Sequence, residues 1–152
     1  YGLPQLPEPI SLPEIKNKLR KTDVKSLQKR NYYFEEKYMF LVQQKTDSCM
    51  KELKPYLQSE CNLASFAKLV NIPAHHLAYY FREEKKQTFN DFRNEWRISY
   101  AKNLIREGKT TKLTLEAIGL LSGFSSRHTF IIAFKKFEGI SPGLFNSNNS
   151  SY

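Results

Sequence analysis

The chain reads as an all-α protein: two helix-turn-helix units joined by a long central helix, with a helical N-terminal extension. Three observations lead there. Residues 113–145 hold a capped apolar helix, a Gly turn and a second amphipathic helix. Residues 62–82 carry a weaker copy of that pattern, about fifty residues earlier. Residues 88–106 between them form one long helical stretch with large aromatics.

The C-terminal pattern is the clearest. Thr114 suits an N-cap, and Leu115, Ile118, Leu121 and Phe124 follow at helical apolar spacing. Ser122-Gly123 predicts the break, because glycine takes a left-handed backbone at little cost. Ser125-Ser126 can cap a second helix with Phe130, Phe134 and Phe137 on one face. Arg127, His128, Ile131, Ile132, Lys135 and Lys136 take the other face. This is the outline of a helix-turn-helix, although a plain helical hairpin gives the same pattern.

Taken in order, residues 1–13 hold four prolines and predict an extended leader. Residues 14–20 and 24–30 read as short helices rich in Lys and Arg without a broad apolar face, and a solvated linker is the plainer reading. Residues 34–53 predict a longer helix with a partial stripe of Phe34, Tyr38, Leu41, Val42, Cys49, Met50 and Leu53. Thr46-Asp47-Ser48 offers a fresh cap in its middle, and Pro55 stops or bends it.

In the first repeat Asn62 takes the place of Thr114, Leu63 of Leu115, Phe66 of Ile118, Val70 of Ser122, Asn71 of Gly123 and Ile72 of Phe124. Asparagine is the next residue after glycine to accept the turn conformation. Leu77 and Phe81 are expected to face inward, with His75, Ala78, Tyr79 and Arg82 outward. Along 88–106 the expected packed face is Phe89, Phe92, Trp96, Ser99 or Tyr100, Asn103 and Leu104, and Gly108 ends the helix. Residues 146–152 have no core pattern and are expected to be a disordered tail.

Composition bounds the function. A net charge of +9 and a pI near 9.5 suit a polyanionic partner. No run reaches the roughly 18 apolar residues that a membrane span needs. Cys49 and Cys61 form neither a disulfide framework nor a zinc spacing, and they fit a reducing cytoplasm. His75 and His76 are about 100° apart on a helix, a poor chelate. No catalytic constellation, phosphate loop or metal set is legible, so neither an enzyme nor a cofactor is expected.

Ile118, Gly123-Phe124, Ser125-Ser126, Phe130, Phe134-Lys135-Lys136, Gly139 and Ser141-Pro142 stand in the order and spacing of a known signature. The stretch resembles the C-terminal part of AraC/XylS-type transcription regulators. Phe89, Phe92, Arg97, Ala101-Lys102 and Leu104 extend the resemblance through the middle helix, so that it covers roughly residues 51–145. It divides the chain into a Pro-rich and basic linker with short helices (1–50), a DNA-binding domain (51–145) and the tail (146–152). Within the domain the first unit is about 62–82, the linking helix about 88–106 and the second unit about 114–137. Ile131 and Ile132 depart from the family, which usually shows polar residues there. Pro73 stands where a capping Ser is common, a position a helix start tolerates.

The resemblance implies a sequence-specific DNA-binding regulator whose two second helices enter successive major grooves, about 34 Å apart. It implies base reading by His75, Ala78 and Tyr79 in the first unit. In the second, Arg127, His128 and Ile131 are the candidates, since Arg pairs with guanine O6 and N7 and apolar groups meet thymine methyls. Arg82, Lys85, Lys86, Lys135 and Lys136 are candidate phosphate contacts, and Asn62 and Thr114 cap helix N-termini that can face phosphates. Double-stranded DNA is the expected partner. Activation through RNA polymerase follows from the resemblance alone. A fragment or a processed product is expected, with any sensor or membrane domain upstream of Tyr1. The basic leader also resembles the segment after the last span of membrane-embedded regulators, which makes the cytoplasmic part of a membrane-anchored protein a further expectation. The alternative function is a protein-interaction module that keeps the fold and has weak or no specific DNA binding.

Overall fold

A computed structural model of the chain describes residues 34–150, so the expectations for the leader and the short basic helices lie outside the described residues. Two compact units divide the chain, Tyr1–Gln44 and Lys45–Tyr152. Of the first unit, residues 34–44 are described. Phe34, Tyr38, Met39 and Val42 are buried there, the Phe34 and Tyr38 rings are 5.4 Å apart, and Phe40 is exposed.

Helix α1 runs Glu36–Glu52 without a break. The fresh start expected at Thr46 is absent, because that side chain is fully buried, whereas a capping hydroxyl lies at a helix end. Leu53, expected on the apolar stripe, is exposed. A 3-10 turn at Pro55–Leu57 follows. Then come α2 (Leu63–Val70), α3 (Ala74–Tyr79, widening into a π turn at Tyr80–Glu84), α4 (Phe89–Arg106), α5 (Leu115–Leu121), α6 (Arg127–Glu138) and α7 (Pro142–Asn149). The fold is all-α, with no strand among the described residues. No helix among them is long and apolar enough to cross a membrane. Residues 146–149, read as a disordered tail, are helical: Asn149 Nδ2 donates to the Phe145 carbonyl at 2.7 Å.

The chain's punctuation is local chemistry. Asn62 Oδ1 accepts from the Ser65 amide at 2.9 Å while the Asn62 amide donates to Ser65 Oγ at 3.0 Å, a reciprocal cap on α2. Thr88, Thr114, Ser126 and Ser141 cap α4, α5, α6 and α7, each side chain accepting from one backbone amide. Asn71 takes the left-handed turn between α2 and α3 at φ 54°. Pro73 sits at the N-cap position, one residue before the first helical position.

Helix α4 departs most from its expected face. Phe89 and Phe92 join Phe66 and Phe81 in an aromatic cluster with ring centroids 5.0–5.4 Å apart. Ile98, Ala101 and Ile105 instead enter a second core with Ile118, Phe124, Phe130, Ala133, Phe134 and Phe145. At about 100° per residue these two sets lie on opposite sides of the helix. The N-terminal half of α4 serves the first helix pair and its C-terminal half the second, so no single stripe runs its length. Asn103 is consequently exposed and Ile105 buried, against expectation.

The second pair also rotates away from the simplest reading. Ile118 and Phe124 are buried, but Leu121 is half exposed. The buried residues of α5 are Ile118 and Gly119 instead, and a Cβ at Gly119 would stand 2.7 Å from the Phe130 ring. A bare glycine there lets α5 approach α6 closely, which turns Leu121 outward.

Candidate nucleic-acid interface

Helical geometry decides which side chains of α3 can be reached. His76, Leu77, Tyr79, Tyr80 and Phe81 are all buried. At about 100° per residue they cover roughly 200° of the helix, twice the arc of an ordinary one-sided helix. The C-terminal part of α1 lies beside this helix pair, where Lys45 Nζ donates to the Val70 carbonyl at the end of α2 at 3.3 Å. Burial, followed by the Asp47 and Glu84 carboxylates, pushes the Tyr80 phenol up from its ordinary value.

The open face of α3 is therefore Ala74, His75, Ala78 and Arg82. Tyr79, expected to face out and read base edges, is 7% exposed, and the Arg82 guanidinium lies 5.9 Å over its ring. It is a packing residue at the edge of the buried arc. His76 is buried as well. Burial, and secondly the neighbouring His75, holds it down to about 4. The His75 ring meets it edge-on, with centroids 4.3 Å apart.

On α6 the buried residues are Phe130, Ala133 and Phe134, which leaves an open arc of Arg127, His128, Ile131, Ile132 and Lys135. When Phe81 is superposed on Phe134 by register, the two open faces correspond. His75 matches His128, Ala78 matches Ile131 and Arg82 matches Lys135. The two faces differ at Tyr79, which is buried, and its counterpart Ile132, which is 54% exposed. Arg127, Ile131 and Lys135 line one wall of a cleft of about 300 Å³, with Leu115 and Glu116 of α5 and Ser141-Pro142-Gly143 at the start of α7 opposite.

The cations expected on phosphates fall into two groups. Lys135 stands in the open beside the cleft. Lys136 bonds to Asp91 of α4, and Lys102 bonds to Glu138 at 2.8 Å, so these two lysines tie α6 to the central helix. In the first unit Glu83 gathers Arg82 at 2.9 Å and Lys86 at 3.7 Å, and Lys85 is half exposed. Exposed pairs of this kind are worth at most about 1 kcal/mol, so a phosphate can compete for either cation. The side chains of Asn62 and Thr114 are engaged as caps, leaving only backbone amides at those helix starts.

Sequence reasoning gave Arg97 no structural part. It is 4% exposed, and its Nε and Nη2 donate to the carbonyls of Tyr56 (2.6 Å) and Gln58 (2.8 Å). Its guanidinium also lies 5.5 Å over the Phe124 ring. An arginine within a helix otherwise turned toward core residues is the signal that could have flagged it. Among the described residues no group of three or more His, Cys, Asp or Glu could hold a metal ion.

Comparison with known proteins agrees with this architecture. The profile of a family described as a helix-turn-helix domain matches residues 66–148. The arabinose operon regulatory protein of Salmonella typhimurium is 30% identical over 101 residues, covering 66% of this chain and 35% of that protein. The HTH-type transcriptional regulator GlxA of Rhizobium meliloti is 26% identical over 102 residues, covering 67% of this chain and 31% of that protein. The chain thus spans about a third of the length of these two relatives. Among solved structures, the C-terminal domain of AraT, a response regulator from Geobacillus stearothermophilus, superposes with a TM-score of 0.58 at 25% identity, covering 70% of this chain and 84% of that one. With more than half of its residues inside the family profile, the chain belongs to the AraC-type helix-turn-helix domain family.

Proposed function

We propose that this chain is a sequence-specific DNA-binding transcription regulator that sets α3 and α6 into two successive major grooves. The observation that carries the reading is the pair of corresponding open faces, His75–Ala78–Arg82 and His128–Ile131–Lys135, on two helix pairs that share the 18-residue helix α4. A basic chain of net charge +9 supplies the phosphate attraction. Arg127, at the start of α6 and exposed, is the reader of guanine. His75, Ala78 and His128 take the remaining base edges, and Arg82, Lys85, Lys86 and Lys135 the phosphates. Activation through contact with RNA polymerase is the regulatory mode that the family resemblance favours.

Selection of the 152-residue chain on a genomic DNA library at two salt concentrations tests this. The expected result is a motif with two half-sites about one helical turn apart, bound less tightly as salt rises. Salt-sensitive binding with no motif would remove the sequence-specific reading. No binding at low salt would favour the protein-interaction alternative.

A further inference from the structure

Ile132 is an anomaly on α6. It is 54% exposed, on the open arc of a helix that starts with Arg127 and carries Lys135 and Lys136 in its last turn. Its neighbours one turn away are His128, Thr129, Lys135 and Lys136, all polar. Ile131 stands about 100° round the helix and is half buried in the cleft beside Arg127 and Lys135. The isoleucines form a two-residue apolar strip framed by cations. A protein-interface core is built differently, as a larger apolar patch depleted of charge.

Resting on the DNA-binding reading above, we infer that Ile132 together with Ile131 reads the C5-methyl groups of thymine, so that the half-site under α6 contains adjacent A·T pairs. Isoleucine has no donor or acceptor and cannot read the hydrogen-bond code of the major groove. The thymine methyl is the one apolar group that base edges display there. β-branching restricts both side chains at χ1, so they lose little freedom on contact. Cations around the strip suit the phosphate-flanked groove floor. The first unit has no equivalent strip, since Ala78 and the buried Tyr79 occupy the matching positions. The two half-sites should therefore differ, with the methyl requirement confined to the one under α6.

The test replaces thymine by deoxyuridine, which keeps base pairing and removes only the methyl. Duplexes carrying the best selected site are made with uracil at each A·T pair in turn, and their affinities for the 152-residue chain are compared. Uracil at the pairs under α6 is expected to weaken binding about fourfold per methyl, the scale of one buried methylene. Ile132→Ala should bind the thymine duplex more weakly by a similar factor and lose the distinction between thymine and uracil at one pair. Ile132→Val should retain part of it. A selected motif whose affinity is indifferent to uracil at every position overturns the methyl reading and leaves the DNA-binding reading standing. Absence of any sequence-selective binding overturns both.

Discussion

Arg97 Nε donates to the Tyr56 carbonyl at 2.6 Å, and this bond fixes the entry to the first helix pair against the turn of the second. Tyr56 itself stacks on the central helix, 5.7 Å from Trp96 and 6.4 Å from Tyr100. Gly123 closes the same junction, because a Cβ there would stand 2.3 Å from the Tyr56 oxygen and 2.8 Å from Arg97 Nε. The relative placement of the two pairs thus depends on one guanidinium, one carbonyl and one missing side chain. Burial, and secondly Arg93, lowers Arg97 to about 10, so it remains charged at neutral pH.

Arg97→Met removes two donors from buried carbonyls at Tyr56 and Gln58. Each lost bond to a charged group is worth about 1.5–3 kcal/mol, so a total loss of about 3 kcal/mol or more is expected in urea denaturation. Arg97→Lys should recover only part, because a lysine head cannot serve both carbonyls with a planar fork. Equal stability of wild type and Arg97→Met would contradict this role.

Gly123→Ala and Gly139→Ala separate steric conflict from backbone strain. Both glycines have positive φ, at 95° and 75°, but an added Cβ at Gly139 meets nothing within 4 Å. Gly139→Ala should cost about 1 kcal/mol from the left-handed backbone alone. Gly123→Ala adds a collision with a backbone oxygen and should lower the melting temperature several times more. Similar melting temperatures for the two variants would show that the Tyr56 contact is easily relieved.

His76 makes stability depend on pH. Its ordinary value is 6.5 and burial, then His75, holds it near 4 in the folded chain. Between these values the unfolded chain binds a proton that the folded chain does not, so this contribution is intact above pH 6.5 and is lost as pH falls toward 4. The slope from one such group approaches about 1.4 kcal/mol per pH unit. Denaturation at several pH values across that window should show it, and His76→Gln should flatten it. An unchanged slope in the variant would place the titration elsewhere.

Arg127→Ala and Lys135→Ala should weaken DNA binding in different ways. Loss of a base-reading arginine costs about 1–3 kcal/mol and relaxes one position of the motif. Loss of a phosphate lysine weakens all sequences alike and reduces the salt slope by about one. Affinity titrations of both variants on the selected site and on random DNA discriminate the roles. Identical behaviour would mean that the face of α6 does not divide into readers and anchors.

Much of this protein was legible from local sequence. Asn62, Thr88, Thr114, Ser126 and Ser141 cap their helices with side-chain oxygens, and Asn71 and Gly123 take the left-handed turns. These choices are settled within three or four residues, so they show as short motifs. The family signature follows from the same local chemistry. Which face of each helix is covered was not legible. Periodicity identifies a face that must be buried, but not a second neighbour that buries more of the circumference. That is why Tyr79 is packed and α4 has two apolar sides, while Leu121 is exposed because Gly119 takes its place against α6. Arg97 belongs with them: its partners Tyr56 and Gln58 lie some forty residues away, and only tertiary packing brings a charged side chain and two free carbonyls together in a place that water does not reach.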